Sequence, residues 1–367
     1  MKTKLLAALI VLGLNLMAAA ANPPMLKIGE KAPDFSLPGV DGRTYSLKDF
    51  ADGKILVIIF TCNHCPTAQA YEQRIIKLHE DYRDKGVALV AISPNDPAAV
   101  RLDELGYTEF GDSFEEMKVR AKERGLKFPY LYDGETQAAA KAYGVVATPH
   151  VYIFDQERVL KYVGRIDDSE VKTVTSQDAR NAIEAMLAGK AAPVEVTKVF
   201  GCSTKWADKS DSAKKSLAKW EAEAVKISAI DAEGVRALAK NDSKKLLLIN
   251  VWATWCGPCV NELPELVTMN RMYRKRPFEL ITISMDDPKK QEQALEMLNK
   301  LHVSATNYIF SSDKRDALVE ALDAKWPGPV PHTILVAPGG KVIYRQTGEF
   351  DAMELKKAIV GYLGRTY

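Results

Sequence analysis

Four of the five cysteines in this 367-residue chain form two Cys-x-x-Cys pairs, which are the residues best suited to chemistry. The first pair is Cys62 and Cys65 in TCNHCP, and the second is Cys256 and Cys259 in TWCGPC. Two thiols at this spacing can exchange with a disulfide, because one thiolate attacks it and the other thiol resolves the mixed disulfide. We therefore expect Cys62 and Cys256 to be the nucleophiles, and Cys65 and Cys259 to be the resolving thiols.

The same elements flank both cysteine pairs. ILVIIF (55–60) precedes the first pair and LLLINVWA (246–253) precedes the second, and both runs are typical of a buried strand. A helical stripe of apolar residues follows each pair: Tyr71, Ile75, Leu78 and Tyr82 after the first, and Leu263, Leu266 and Val267 after the second. A cysteine at a helix N-terminus ionises more readily, because unpaired N–H groups and the helix dipole favour an anion there. We expect the first cysteine of each pair to occupy that position.

Further along each half, the sequence repeats the same order of elements. Another buried strand follows the helix (87–93 and 278–284), and later a proline precedes two strands and a closing helix. Alternating strands and helices predict an α/β fold with helices on both faces of a sheet. We expect a first domain over 26–190, a linker over 191–226 that contains GCSTKW, and a second domain over 227–367. Residues 95–113 look like a loop inserted in the first domain, which is either a lid that selects partners or plain surface.

The composition limits the possible functions. Hydrophobic residues make up 47% of the chain and charged residues 27%, which is typical of a globular protein. Residues 1–21 resemble a signal peptide, with two lysines, an apolar run and small residues ending at Ala21. Without those two lysines, basic and acidic side chains are equal in number, so no broad surface for nucleic acid is expected. We expect a periplasmic or secreted protein, bound to a membrane only if the signal segment is uncleaved.

Metal binding is the alternative use of a Cys-x-x-Cys pair. No further His or Cys lies within 40 residues of the second pair, so zinc is disfavoured there. At the first pair, His64 lies between the cysteines and His150 occurs later, so a copper or zinc site from Cys62, Cys65 and His150 stays open. Neither pair is followed directly by His, so covalent haem attachment is not indicated. We predict no cofactor and no bound metal.

The string NVWATWCGPCVNELPEL carries a family resemblance. WCGPC after a strand looks like thioredoxin, and the longer string resembles the exported TlpA/ResA branch of the thioredoxin superfamily over roughly 228–365. Thioredoxin has a buried Asp six residues before its first cysteine, whereas this chain has Asn250. The resemblance implies that Glu262 instead assists the deprotonation of Cys259; the alternative is a surface glutamate.

The first domain, roughly 26–206, resembles exported peroxiredoxin-like proteins of the AhpC/TSA and redoxin type. The resemblance rests on APDFSLPGVDGRTYSL, FTCNHCP and GCSTKW. Neither Cys62 nor Cys65 has the P-x-x-x-T-x-x-C array of true peroxidases. Both resemblances together imply two thioredoxin-like domains, each a mixed central sheet flanked by helices.

In this superfamily a cis-proline faces the dithiol, which by position implies Pro149 and Pro331. Each is followed by a histidine, His150 or His332, that either tunes the thiolate or is an ordinary strand side chain. We expect His64 to stabilise the Cys62 thiolate and to make the first pair the more oxidising one. For the fifth cysteine, Cys202, we expect a structural role beside Trp206, with a transient redox partner as the alternative.

Together these features predict an exported thiol–disulfide oxidoreductase that acts on protein disulfides and is recycled by a redox partner. The TlpA/ResA resemblance implies reduction, as in cytochrome c maturation or the rescue of oxidised thiols. The alternatives are a thiol peroxidase and a copper carrier that uses the first domain.

Overall fold

The computed structural model describes residues 23–366, so the expected signal segment at 1–21 lies outside the described residues. Two separate sheets organise the described chain, one of five strands and one of six. In both, parallel and antiparallel pairs are combined and helices cover the faces, which confirms the predicted fold class. Within residues 23–366, no helix combines the length and apolar character that a membrane crossing requires.

The first unit is built around the predicted strand 55–60. Its elements are β1 (Ser36–Pro38), β2 (Thr44–Ser46), β3 (Ile55–Phe60), α1 (Pro66–Tyr82), β4 (Val87–Ser93), α2 (Phe114–Arg124), β5 (Tyr130–Tyr132), α3 (Ala138–Tyr143), β6 (Ala147–Thr148), β7 (His150–Phe154), β8 (Leu160–Gly164), α4 (Asp178–Leu187) and β9 (Cys202–Ser203). The helix α5 (Ser210–Glu221) follows this unit. The strand order of its main sheet is β5-β4-β3-β7-β8, with β3 parallel to β4 and antiparallel to β7. All six residues of β3 are buried, as expected for a central strand covered on both faces.

The second unit repeats this plan. Its elements are β10 (Ser228–Ile230), α6 (Ala232–Lys240), β11 (Leu246–Trp252), α7 (Gly257–Tyr273), β12 (Phe278–Ser284), α8 (Gln291–Lys300), β13 (Thr306–Phe310), α9 (Arg315–Leu322), β14 (His332–Ala337), β15 (Lys341–Thr347) and α10 (Ala352–Leu363). The strand order is β10-β13-β12-β11-β14-β15. As predicted, α10 starts after Asp351, whose carboxylate accepts the backbone N–H of Glu354 at 2.9 Å.

The predicted helical stripes are buried and fix the two helices that follow the cysteines. Tyr71, Ile75, Leu78 and Tyr82 of α1 pack in one core, and Leu263, Leu266 and Val267 of α7 pack in another. Each large apolar side chain buried in this way contributes about 1.5–3 kcal/mol. The helices are therefore held to the sheets by their apolar faces, which fixes the position of the cysteines at their N-termini.

The inserted segment 95–113 lies between the two units. Tyr273 at the end of α7 donates its hydroxyl hydrogen bond to the carbonyl of Thr108 at 2.9 Å. Arg365, beyond α10, forms a two-pronged ion pair with the buried carboxylate of Glu109. The segment is thus not plain surface, because it joins the first unit to the second.

Part of the predicted linker 191–226 belongs structurally to the first unit. Val196 bridges to Val163 of β8, β9 pairs with β6, and Trp206 is buried in the core of the first sheet. We therefore propose that the first domain extends to about residue 206, and that the true connection runs from there through α5 to β10.

Candidate functional site

The second cysteine pair lies where the sequence predicts it. Cys256 is the N-cap of α7, and its sulfur accepts the backbone N–H of Cys259 at 3.3 Å. The two cysteines form a disulfide, in which Cys259 is fully buried and Cys256 is 6% exposed. Beside it the ring of Trp255 is 54% exposed, with the guanidinium of Arg315 5.1 Å from its centroid. An exposed aromatic side chain next to a redox sulfur is suited to contact a protein client.

Glu262 lies on α7, three residues after Cys259, and therefore on the same face of the helix. Its Oε1 accepts a hydrogen bond of 2.8 Å from Asn250 of β11, which also donates to the hydroxyl of Thr333 at 3.0 Å. Burial raises the pKa of Glu262 to about 7, against the hydrogen bonds from Asn250 and the backbone N–H of Phe350. A largely buried carboxyl that titrates near neutral pH can hold or release a proton close to Cys259.

Both predicted cis-prolines are found, since the Thr148–Pro149 and Val330–Pro331 bonds are cis. Pro331 directly precedes β14, and the imidazole of His332 is buried. His332 stacks on Trp326 at 4.7 Å between ring centroids, and its Nδ1 lies 2.9 Å from the hydroxyl of Thr347. Burial lowers its pKa to about 4 despite the nearby Asp323, so this histidine is neutral at pH 7 and packs as a strand side chain.

The first pair departs from the expected arrangement. Helix α1 begins only at Pro66, and its N-cap is Cys65, whose sulfur accepts the backbone N–H of Ala68 at 3.5 Å. The expectation that the first cysteine of each pair begins a helix is therefore right for Cys256 and wrong for Cys62. The position of proline explains the difference. Proline favours the first helical position and keeps the residue before it out of the helical region, whereas the proline of the second pair lies between the cysteines.

A carboxylate that sequence reasoning missed holds the residues between Cys62 and Cys65. Asp112 Oδ1 accepts the backbone N–H groups of Asn63 at 2.9 Å and of His64 at 3.1 Å. Its Oδ2 lies 2.6 Å from His64 Nδ1 and accepts a hydrogen bond of 2.7 Å from Asn95. All four residues are buried. Apart from an acidic residue in the inserted segment, nothing local in the sequence pointed to this contact.

This environment determines which sulfur ionises. Burial raises the pKa of Cys62 well above its usual value, and its contact with Cys65 and the charge of Asp112 add to the effect. Burial also opposes ionisation of Cys65, but hydrogen bonds from the thiols of Cys202 and Cys62, the N–H of Ala68 and the charge of His64 outweigh it and hold its pKa well below the usual range. These directions favour a thiolate at Cys65 over one at Cys62, where the sequence predicted it.

The charge that favours this thiolate comes from a buried ion pair. Burial disfavours a charged His64, but the charge and hydrogen bond of Asp112 overcome this and raise the pKa of the imidazole. In return, His64 and the surrounding donors lower the pKa of Asp112 in spite of its complete burial. The imidazole of His64 thus favours a thiolate, as predicted, but the thiolate is that of Cys65 rather than that of Cys62.

Thr148, directly before Pro149, contacts both sulfurs of the first pair. Its hydroxyl lies 3.2 Å from the sulfur of Cys62, and its carbonyl oxygen lies 3.4 Å from the sulfur of Cys65, whose thiol form donates to it. His150, the residue after Pro149, is fully buried next to Tyr152, and burial lowers its pKa to about 3. His150 is therefore a neutral strand side chain rather than a group that tunes the thiolate.

The structure does not bring together the metal ligands considered from the sequence. Among residues 23–366, the possible ligand set that includes Cys62 consists of His64 and Asp112, with ligand atoms within 4.8 Å of one another; His150 is not part of it. The imidazole and the carboxylate of this set already bind each other at 2.6 Å. Asp112 Oδ1 also accepts two backbone N–H groups, so a metal bound by His64 Nδ1 and this carboxylate would have to break those hydrogen bonds.

Two family models match the chain, one over each unit. The AhpC/TSA family matches residues 28–163, and the Redoxin family matches residues 223–359. The chain belongs to the thioredoxin superfamily. The two matches fall on the two sheets described above, so both units share this membership and the fold predicted for them is confirmed.

Individual proteins are similar to parts of this chain. The thiol-disulfide oxidoreductase ResA of Bacillus thuringiensis (strain Al Hakam) is 26% identical over 133 residues, which cover 36% of this chain and 70% of the relative. The thioredoxin-like protein YneN of Bacillus subtilis (strain 168) is 29% identical over 156 residues, or 42% of this chain and 78% of that protein. A solved structure of an uncharacterized conserved protein from Geobacillus kaustophilus is 40% identical, covers 52% of this chain and 98% of its own, and has a TM-score of 0.45. The chain is an oxidoreductase with a thioredoxin-like redox function.

Proposed function

We propose that this oxidoreductase exchanges dithiols for disulfides on protein clients through two separate sites, Cys62 with Cys65 and Cys256 with Cys259. The observation that carries the proposal is the second pair, a disulfide at the N-terminus of α7 beside an exposed Trp255. A helix N-terminus favours a sulfur anion, and a client needs access to that sulfur.

At the second site the reduced form acts in two steps. The thiolate of Cys256 attacks a client disulfide, so that a mixed disulfide forms and one client sulfur leaves as a thiolate. Glu262 takes the proton of Cys259, which then attacks the sulfur of Cys256. The Cys256–Cys259 disulfide forms, the second client sulfur leaves, and two electrons have passed to the client.

At the first site the roles of the sulfurs follow from their surroundings. Cys62 is 5% exposed and Cys65 is fully buried, so Cys62 forms the mixed disulfide with the client. As Cys62 attacks, its proton passes to the client sulfur that leaves, and Cys65 stays a thiolate. Cys65 then attacks the sulfur of Cys62, the Cys62–Cys65 disulfide forms, and the second client sulfur leaves as a thiolate.

Reduction of protein disulfides is the direction that we propose for the whole protein, with the first pair the more oxidising one. The buried His64 favours a thiolate at Cys65, and a stabilised thiolate favours the reduced form of its pair. A gap of about 60 mV between the pairs would correspond to about 2.8 kcal/mol for two electrons. Equilibration of the full chain with glutathione buffers, followed by alkylation and peptide mass mapping, measures both potentials; equal values would contradict this part of the proposal.

The test of exchange chemistry is the reduction of insulin by the full chain with dithiothreitol as the recycling reductant. We expect C62S and C256S each to remove one part of the activity, and the double variant C62S/C256S to fall to the uncatalysed rate. Retained activity in the double variant would refute the proposal. The trapping variants C65S and C259S should hold clients as mixed disulfides in the native host and identify them for each site. Clients from cytochrome c maturation or with oxidised thiols are the proposed class.

Export is proposed from the signal-like residues 1–21 alone. Cell fractionation and N-terminal sequencing test it, with an exported chain that begins at Asn22 as the expected result. A full-length protein that starts at Met1 in the cytoplasm would contradict export.

A further inference from the structure

The fifth cysteine lies at the first dithiol site. Strand β9 pairs with β6 in a register that places Cys202 opposite Thr148. Thr148 is the residue whose hydroxyl and carbonyl contact the sulfurs of Cys62 and Cys65. Cys202 also packs against the buried group that these two cysteines form with Ala68. Three sulfurs, which we call the three-sulfur cluster (Cys62, Cys65 and Cys202), therefore meet around one residue.

The chain is built to bring Cys202 this close. Gly201 has a φ of +144°, and a Cβ at that position would lie 2.1 Å from the carbonyl oxygen of Thr148. No other residue permits the strand to approach Thr148 so closely. The close approach of Gly201 to Thr148 brings Cys202 into contact with the cysteine pair. A structural role beside Trp206 alone does not account for this contact.

Hydrogen bonds of Lys205, three residues after Cys202, hold the segment that carries Cys202 in place. The backbone N–H of Lys205 donates to Asn95 Oδ1 at 2.9 Å, and its carbonyl accepts from Asp96 N at 2.9 Å and from Gln137 Nε2 at 2.8 Å. Trp206 is 6% exposed in the core. Cys202 is thus held between two anchored points and does not lie on a free tail.

The three sulfurs differ in exposure. Cys62 and Cys65 are buried, whereas Cys202 is partly exposed. A disulfide that includes Cys202 would therefore present a sulfur that a recycling thiol can reach. In the reduced cluster the contact with Cys65, together with burial, raises the pKa of Cys202, while the same contact lowers that of Cys65. In the Cys62–Cys65 disulfide Cys65 carries no charge, so this contact no longer opposes ionisation of Cys202.

We propose that Cys202 is a third redox thiol, which takes over the disulfide of the first pair by bonding to Cys65. This inference rests on the proposed exchange chemistry of Cys62 and Cys65. The thiolate of Cys202 attacks the sulfur of Cys65 in the Cys62–Cys65 disulfide; the Cys65–Cys202 bond forms, the Cys62–Cys65 bond breaks, and Cys62 leaves as a thiolate. The proton lost by Cys202 goes through solvent to Cys62, and no net electrons are gained or lost. Cys62 becomes free for a new client, and a protein or small-molecule dithiol then reduces the Cys65–Cys202 bond.

The first experiment uses the full chain with C256S and C259S, so that the three-sulfur cluster holds all remaining cysteines. Addition of C62S leaves Cys65 and Cys202, and the reduced protein is oxidised with glutathione disulfide, alkylated and mapped by peptide mass. We expect an internal Cys65–Cys202 disulfide whose yield does not depend on protein concentration. A lasting glutathione adduct on Cys65 together with an alkylated Cys202 would overturn the inference.

The second experiment keeps all three sulfurs and replaces Gly201. We expect G201A to lower the fraction of Cys65–Cys202 disulfide at least about tenfold, while the Cys62–Cys65 disulfide still forms. C202S and C202A should both slow the recycling of the first site equally, whereas a packing role would make C202A, which removes the side-chain volume, worse than C202S, which keeps it. If Cys62 and Cys65 form their disulfide but Cys202 never joins either, this inference alone fails. If Cys62 and Cys65 form none, the proposed function of the first site fails.

Discussion

At the scale of single residues, the two dithiol sites differ in the sulfur that caps the helix. Cys256 caps α7 and is the first of its pair, whereas Cys65 caps α1 and is the second. One residue causes much of this difference, because Pro66 starts α1 after the second cysteine. Similar motifs in one chain therefore place their anionic sulfur at different positions.

The buried carboxylate of Asp112 gives a prediction for the first site. In D112N, His64 loses the charge that raises its pKa, and Cys65 then loses a neighbouring positive charge. We expect the apparent pKa of the Cys65 thiol to rise by about one unit or more, where one unit corresponds to about 1.4 kcal/mol. Thiolate absorbance at 240 nm as a function of pH, in the reduced chain that carries C256S and C259S, measures the change.

The matched control is D96N, which changes a carboxylate of the same inserted segment that caps only the short helical turn at 97–99. It should leave the thiolate titration unchanged. An equal shift in both variants, or none in D112N, would contradict the assigned role.

Glu262 gives the prediction for the second site. Its pKa is about 7 in the folded chain and near 4.5 when unfolded, so the folded state binds its proton more tightly. The stability that this proton contributes is complete below about pH 4.5 and is lost as the pH rises through about 7. We expect E262Q to resist urea better than the parent at pH 8 and to resolve a mixed disulfide on Cys256 at least about tenfold more slowly.

The control for E262Q is E265Q, one helical turn further along α7, where the side chain is half exposed and pairs with Lys356. Urea unfolding at pH 5 and pH 8 and stopped-flow release of a client peptide are the measurements. A loss of rate in E265Q as large as that in E262Q would show that charge on the helix, rather than proton transfer, matters.

At the scale of elements, the first site depends on two segments outside the strand and helix that flank its cysteines. One is the inserted segment 95–113 with Asp112, and the other is the segment 201–206 with Cys202. Asn95 joins them, because its amide donates to Asp112 and its oxygen accepts the N–H of Lys205. The two segments therefore form one support for the three-sulfur cluster.

Replacement of Asn95 is predicted to lower the stability of the first unit. N95A leaves the part-buried N–H of Lys205 without its acceptor and the buried Asp112 without one donor, which should lower the free energy of unfolding by about 1–3 kcal/mol. We expect faster hydrogen exchange at the Lys205 amide and a smaller yield of the Cys65–Cys202 disulfide. Urea unfolding and exchange mass spectrometry measure these changes, with the exposed N181A as a control that should leave both unaltered.

At the scale of the whole molecule, the two units are joined through the inserted segment rather than through their cysteine pairs. Thr108 and Glu109 contact the C-terminal end of α7 and the residues after α10, whereas Cys256 lies at the opposite end of α7. The two pairs also belong to separate hydrophobic clusters. This arrangement favours two sites that serve their own clients over direct electron transfer between them.

The docking of the units gives the last prediction. R365A leaves the buried carboxylate of Glu109 without the partner that lowers its pKa, which should cost about 1–3 kcal/mol of docking free energy. We expect faster limited proteolysis between 207 and 226, while the insulin reductase activity of each pair is kept. The exposed Arg236 supplies the control R236A, and unchanged cleavage in R365A would contradict the role of this ion pair.

The sequence by itself determined the features that depend on neighbours in the chain. These are the two cysteine pairs, the buried strands before them, the helical stripes after them, the mixed α/β fold and the two cis-prolines. The cysteine pairs, strands and helical stripes follow from short motifs or local periodicity. The two cis-prolines and the mixed sheets are what the resemblance to the thioredoxin superfamily implied.

Only the tertiary structure decided which sulfur is the anion and what surrounds it. His64 and Asp112 are 48 residues apart, and Asn95 and Lys205 are 110 residues apart. The pairing of Cys202 with Thr148 likewise joins distant parts of the chain. Thiol ionisation depends on charges and donors within a few ångströms, and folding brings those groups together from positions that no local pattern connects.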